Sequence, residues 1–300
     1  MSFASVTSTY AGDALKEYIL KALIGGETLG TRGVKVDTNV KLKRTIKKLA
    51  SSGIVQAGSC EFSSTDGMSI SEGVLEPVKL KVNETICFDE FDELWDSADM
   101  AAGQHAQNVP QSVIDAITDE FVGQFAKEVE EMIWQGDTDL SGGTKSLFDG
   151  YLKQLDGSAI EVSATTLTTS NILTEMNKVY SALPAGVRKK GKDALVWFMG
   201  YDTAALYEMN LQAQGINTSA DGGVMKAYNI EIVPVGGLSG NKIVLGERAN
   251  FYIGTDLESD FNELKIIDMR DTTGDDSVRF IMKAKLDVAI AYPSEVVLYA

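Results

Sequence analysis

Residues 112–136 read SVIDAITDEFVGQFAKEVEEMIWQG. Val113, Ile114, Ile117, Phe121, Phe125, Val129, Met132 and Ile133 recur at three- and four-residue spacing, the period of one helix face. Ser112 suits the N-cap, with Asp115 three residues later in a weak variant of the capping box, and Gly136 suits the stop. The spacing predicts one helix over 112–135, roughly 36 Å long at about 1.5 Å per residue and twice the common helix length. A single rod of that length is a scaffold element rather than the wall of a pocket.

Downstream the pattern changes to short mixed elements. A polar loop runs from 137 to 160. A second helix is predicted over 169–183, capped by Thr169 or Ser170 and stopped by Pro184. The unbroken apolar run Ala194–Met199 reads as a buried strand. Asp202–Asn210 is helical, and 230–235 and 242–246 are strands on either side of the turn Gly236–Gly240. Together these predict a compact α/β unit between 160 and 255. Phe261–Asp271 and Ser277–Tyr292 then form a long hairpin around Thr272–Asp276, and Glu295–Tyr299 closes the chain as a short strand.

Upstream the chain looks unsuited to standing alone. Residues 1–32 are rich in Ser, Thr and Gly with one short helical piece at 13–23, the composition of an extended arm that needs a neighbour. Val34, Val36 and Val40 favour a strand. Between 51 and 87, extended runs alternate with the turns Ser51-Ser52-Gly53 and Ser63–Gly67. Val74, Val78, Leu80, Val82 and Ile86 alternate with polar residues, which predicts a long β-hairpin that must lie on something else, since an isolated hairpin is marginal in water. Phe88, Phe91, Leu94 and Trp95 are spaced as a short amphipathic helix.

Composition narrows the function. The 300 residues carry 27 Lys and Arg against 43 Asp and Glu, a net charge of −16. That argues against general nucleic-acid binding, which needs clustered cations. The imbalance is uneven: the first 50 residues have a net charge of +5 and the remainder −21. Residues 82–126 hold ten acids and no Lys or Arg. A hydrophobic content of 44% supports a folded core without metal or disulfide staples. Two cysteines, Cys60 and Cys87, are too few for a disulfide framework. Neither a signal peptide nor a membrane span is predicted.

The search for chemistry finds no catalytic centre. One histidine, His105, excludes a two-histidine metal site or a histidine triad within a single chain and reads as a surface residue. Asp137-Thr138-Asp139-Leu140-Ser141-Gly142 imitates the start of a calcium loop, but Phe148 occupies the place of the bidentate Glu. Gly142-Gly143-Thr144-Lys145-Ser146 breaks the phosphate-loop order, and Gly236–Gly240 has the wrong spacing for a dinucleotide turn. No enzyme activity and no cofactor are expected.

A succession of weak motifs is more specific than any one of them. Glu130–Asp137, Leu147–Leu152, Leu183–Val187, Leu195–Met199, Tyr201–Asn210, Ala249–Leu257 and Glu295–Tyr299 stand in an order that closely resembles the major capsid proteins of tailed bacteriophages, the Hong Kong 97-type capsid fold, over about residues 30–300. The resemblance implies an α+β chain divided as follows: an N-terminal arm at 1–32, a first part of the peripheral domain at 33–52 and an E-loop hairpin at 53–82. The peripheral domain resumes at 83–157 with a spine helix at 112–135. An axial α/β domain follows at 158–258, then the peripheral domain's long hairpin at 259–292 and a C-terminal strand at 293–300. It implies self-assembly through hexamers and pentamers into an icosahedral shell around double-stranded DNA, held without sequence preference. Implied partners are a portal and scaffolding or decoration proteins, with no membrane; the implied location is the virion, assembled in the host cytoplasm. A separate scaffolding protein, or none, is expected, because the arm begins at once. Covalent cross-linking is not expected, since no Asn can be matched to Lys79 or Lys81.

The charge asymmetry then suggests which residues meet between subunits. The candidates are Lys41, Lys43, Arg44, Lys47, Lys48, Lys79 and Lys81 on the basic side and Asp66, Asp89, Glu90, Asp92 and Glu93 on the acidic side. The alternatives are an encapsulin-type compartment, a soluble acidic enzyme using Asp89, Glu90 and Asp92, and an extracellular β-protein.

Overall fold

The computed structural model describes residues 7–10, 28, 34–51, 55, 57–58, 68–87, 111–216, 224–256, 263–269, 273–275 and 277–300. In chain order the strands are β1 (Thr7–Tyr10), β2 (Lys35–Asp37), β3 (Arg44–Ser51), β4 (Met68–Leu75), β5 (Val78–Cys87), β6 (Ile160–Val162) and β7 (Leu195–Met199). They continue with β8 (Lys226–Ala227), β9 (Ile230–Pro234), β10 (Ile243–Glu247), β11 (Phe251–Thr255), β12 (Glu263–Asp268), β13 (Ser277–Ile290) and β14 (Val297–Tyr299). The helices are α1 (Gln111–Gln135), α2 (Tyr151–Leu155), α3 (Ile172–Ala182), α4 (Ala185–Arg188) and α5 (Tyr201–Ala213).

Among the described residues these strands make two six-stranded sheets and one two-stranded ribbon. The long sheet runs β1-β12-β13-β11-β2, with β5 also on β13. The compact sheet runs β6-β14-β10-β7-β9-β8. The ribbon is β3 with β4.

Helix α1 crosses one face of the long sheet. Its stripe of Val122, Phe125, Val129, Met132 and Ile133 is buried with Phe280, Met282, Leu286 and Val288 of β13, and Phe121 stacks on Phe280 with ring centres 4.7 Å apart. The same core takes in Val196 and Phe198 of β7. Leu195, Trp197 and Met199 point the other way, into a second core with Ile172, Met176 and Val179 of α3. All five residues of β7 are therefore buried, which is why its sequence is apolar without alternation.

Where the two sheets meet, four aromatic rings close on one another. Trp134 contacts Tyr151 at 5.2 Å and Phe198 at 5.1 Å, and Phe251 contacts Tyr151 at 5.4 Å and Phe198 at 5.1 Å. Trp134 Nε1 donates to Thr28 Oγ1 at 2.7 Å, and the Thr28 backbone N–H and hydroxyl both donate to the buried Glu130 carboxylate. One residue of the N-terminal segment is thus fixed to the last turns of α1. Beside it, Gly237 lies so close that a Cβ there would stand 2.3 Å from the Glu130 carbonyl oxygen and 2.5 Å from Trp134 Cδ1. The Gly236–Gly240 turn exists for close packing, which explains glycine without a nucleotide.

Three expected boundaries shift. The hairpin expected at 53–82 has its strands at 44–51 and 68–75, paired from Arg44 opposite Leu75 to Ser51 opposite Met68. The alternation from Val74 to Ile86 spans two strands, not one. The chain breaks at Glu76-Pro77, and β5 then pairs with β13 along ten residues. Proline lacks the N–H that a continuous ladder requires. Phe251–Thr255, expected inside the compact unit, belongs to the long sheet between β13 and β2. The final strand β14 lies between β6 and β10, inside the compact sheet.

Candidate functional site: the projecting hairpin and its foot

The β3–β4 ribbon carries apolar side chains in water: Ile70 is 66% exposed, and Leu42, just before β3, is 83% exposed. Its cations pair locally. Lys47 reaches Glu72 directly across the ribbon at 3.9 Å, Lys43 reaches Glu76 at 3.7 Å, and Arg44 meets Asp37 of β2 at 2.9 Å. The exposed pairs contribute at most about 1 kcal/mol each. Three of the basic candidates thus already meet acids of their own chain. Lys41 is exposed, and Lys48 lies opposite Ser71. Lys79 and Lys81 lie on β5, opposite Lys285 and Lys283. Asp66, Asp89, Glu90, Asp92 and Glu93 fall outside the described residues, as do His105, Cys60 and the short helix expected around 88–95. Cys87 is a free, exposed thiol.

The ribbon is joined to the long sheet through a built foot. Leu75 and Val40 are buried together with Ala289 and packed by Ile46 and Tyr252. Leu75 sits over Gly254 of β11, where a Cβ would be 3.3 Å from Leu75 Cδ2 and 3.6 Å from Val40 Cγ2. Lys35 lies over the Tyr252 ring at 5.0 Å. The Val40 N–H donates to the Thr255 carbonyl at 3.1 Å. At the break after β4, the Glu76 N–H donates to Asp287 Oδ2 at 2.6 Å, while Asp287 Oδ1 accepts from the Val288 N–H at 2.8 Å.

Burial pushes the Asp287 carboxyl up to about 6 from an ordinary 3.8; the two N–H donors pull it down, and the Glu76 and Asp149 carboxylates push it further up. The folded chain therefore holds a proton that the unfolded chain has lost between about pH 4 and pH 6. Stability from this group is full below the ordinary value and falls as pH rises through about 6, by up to about 3 kcal/mol. Asp287→Asn keeps an acceptor for Glu76 and removes the buried charge. We expect thermal unfolding of the variant to match the parent near pH 4, to exceed it near pH 8, and to lose the intervening slope; an unchanged slope places the titration elsewhere. Sequence reading missed Asp287, although a glycine within strand β11 signals a close approach.

The catalytic look-alikes have structural roles. In the calcium-like loop the cation is a lysine: Lys153 Nζ stands 3.0 Å from Asp137 Oδ1 and 2.6 Å from Asp139 Oδ2. The Asp139 N–H, and then Lys153, hold the Asp137 carboxyl below its usual range. Phe148, at the position where calcium needs a glutamate, is a core residue. Millimolar calcium should leave the thermal midpoint unmoved; a rise would show that the metal displaces Lys153. Lys145 of the phosphate-loop-like run is bound to α1, through Gln135 at 2.8 Å and Glu131 at 3.1 Å. A cleft of about 400 Å³ lies next to Lys153, lined by Asp137, Asp156 and Lys242 among others. Among the described residues no three metal-ligating side chains converge, and no helix is long and apolar enough to cross a membrane.

No family model matches the chain, and no curated protein matches it. Solved structures do. A chain of the satellite phage P4 procapsid, in a structure that includes the size determination protein, aligns with a TM-score of 0.61 at 13% identity, over 97% of this chain and 92% of that one. A chain of Mycobacterium phage Adephagia aligns at 0.58 and 11% identity, over 92% and 90%. A virus-like particle from Pyrococcus furiosus aligns at 0.53 and 11% identity, over 95% and 97%. The chain therefore has the mixed helix-and-sheet fold of the phage capsid proteins.

Proposed function

We propose that the chain is the major capsid protein of a tailed phage, a structural subunit that associates with copies of itself into a closed shell around double-stranded DNA. The observation that carries this reading is the match of nearly the whole chain to nearly the whole of a procapsid chain. The architecture supports it physically. The ribbon is held to the long sheet by a small foot and leaves Ile70 and Leu42 exposed, which suits an element that lies on a neighbouring copy. Repeated head-to-tail contacts of one chain that close are what build a shell. In this reading the ribbon is the E-loop, 1–32 the arm, α1 the spine helix, the long sheet the peripheral domain and the compact sheet the axial domain. Hexamers and pentamers, a portal and a virion location follow from the same reading, with assembly in the host cytoplasm. Expression followed by electron microscopy tests it: hollow shells are expected, and a monodisperse monomer under all assembly conditions overturns it.

The likeness to a virus-like particle supports a second reading, a compartment for other cargo. The contents of particles purified from their source distinguish the two: genome-length DNA for the first, a protein cargo for the second.

A further inference from the structure

The turn that leads into strand β7 reads Arg188-Lys189-Lys190-Gly191-Lys192, four cations in five residues, a density no other stretch of the chain reaches. Arg188 closes helix α4, and Gly191, at φ +103°, passes the chain into the short 3-10 turn Lys192–Ala194 just before Leu195. All four cations therefore lie at the end of the compact sheet where β7 begins, and all four are exposed.

Three carboxylates share that end of the sheet. Glu247 of β10 lies opposite Leu195, Glu231 of β9 is the register partner of Val196, and Glu295 lies just ahead of β14. Each is already taken. Lys190 Nζ stands 2.6 Å from Glu247 and 3.0 Å from Glu295, and Arg248 pairs with Glu231. Among the described residues Arg188, Lys189 and Lys192 have no ion pair. Asp193, the next residue, balances at most one of them. An acidic chain thus keeps a local surplus of positive charge on one exposed turn.

Such a surplus fits an anionic partner, and the surroundings say which. The exposed large apolar residues of the described chain include none between 184 and 194. A protein interface has an apolar centre inside its polar rim, and this turn supplies none. Residues 184–194 also hold no aromatic ring on which an unpaired base could stack. Mobile cations alone match the phosphates of a duplex.

We infer that Arg188, Lys189 and Lys192 form a contact for the phosphate backbone of double-stranded DNA, made without reading its sequence. The contact stands on this local chemistry; that the duplex is a packaged genome rests on the shell reading. Neutralising three phosphates gives a slope of log affinity against log salt of about −2.7, so a fourfold rise in salt weakens the contact roughly fortyfold. Each contact is weak, and a shell repeats it once per copy. The acidity of the chain as a whole excludes a general grip on nucleic acid and leaves this one turn as the place where it is touched.

The test follows the fluorescence anisotropy of a labelled duplex of about 20 base pairs and random sequence, with the full-length chain, between about 20 and 100 mM salt. In Lys189→Gln with Lys192→Gln, the salt slope should become shallower by about 1.8 and binding at the lowest salt should weaken at least about tenfold. Lys127→Gln with Lys242→Gln removes the same charge elsewhere and should leave affinity within about twofold. Equal losses in the two variants would show that only net charge is felt, and overturn the inference. So would no binding by the unaltered chain at the lowest salt. A polyglutamate of equal charge that binds as tightly as the duplex assigns the turn to an acidic protein and overturns it too. Shell yield of the first variant should match that of the parent; shells lost with duplex affinity unchanged would make the turn a contact between copies instead. An unaltered chain that binds the duplex as expected and forms no particle removes the shell reading and leaves the phosphate contact standing.

Discussion

Gly237→Ala is expected to be among the most destabilising single substitutions in the chain. The added methyl would stand 2.3 Å from the Glu130 carbonyl oxygen and 2.5 Å from Trp134 Cδ1. The first is backbone in the last turns of α1, and the second is a fully buried ring held at both ends. Neither side can yield locally, so the Gly236–Gly240 turn must lift off α1 and open the junction between the sheets. Overpacking costs about 1 to 3 kcal/mol, and more where neither side can yield, a large share of the stability of an ordinary domain. Soluble yield and the denaturant midpoint measure it. Gly123→Ala is the control on the same helix. A Cβ there meets nothing within 4 Å, and the residue is exposed. Alanine should raise stability by about 0.5 to 1 kcal/mol. Equal effects of the two substitutions would show that close approach is not what requires Gly237.

Trp134→Ala is the second large effect. It removes one of four rings at the point where α1, α2, β7 and β11 converge. A fully buried tryptophan cut to alanine costs about 3 to 5 kcal/mol. The loss also leaves the Thr28 hydroxyl without its donor, so the N-terminal segment should loosen with the core. Trp134→Phe separates the two contributions. It keeps a six-membered ring and loses the N–H together with the second ring, about 1 kcal/mol for the hydrogen bond and about 1 kcal/mol more for the cavity. Faster amide exchange at Thr28 in the phenylalanine variant, with a smaller fall in the denaturant midpoint than in Trp134→Ala, is the expected result. Protection at Thr28 unchanged in both variants would mean that something other than Trp134 and Glu130 holds it.

Much of this architecture is legible in the sequence because local rules and tertiary packing agree. The stripe from Val113 to Ile133 gives α1 and Gly136 its end. The unbroken run Leu195–Met199 gives a strand buried on both faces. Where the reading slipped, two structures share one local pattern. The alternation from Val74 to Ile86 is the same whether it belongs to one strand or to two, and only Pro77 marks the break. Phe251–Thr255 looks like any buried strand, and periodicity carries no information about which sheet receives it. The foot of the ribbon was illegible for a different reason: Asp287, Gly254 and Leu75 are 33 to 212 residues apart in the chain and acquire their meaning only through contact. The same holds for β5: nothing local shows that Lys79 and Lys81 will lie opposite Lys285 and Lys283 of β13.

The order in which the long sheet is made has a consequence for synthesis. Strand β5 ends at Cys87, and its partner β13 begins at Ser277. At about 5 to 20 residues per second, roughly 10 to 40 seconds pass between them on the ribosome. Until β13 emerges, β5 has no ladder, β12 has no neighbour on that side, and the stripe of α1 lacks the Phe280, Met282, Leu286 and Val288 side chains that cover it. A chain released early therefore lacks the central strand of the long sheet and cannot bury the stripe of α1 as the full chain does.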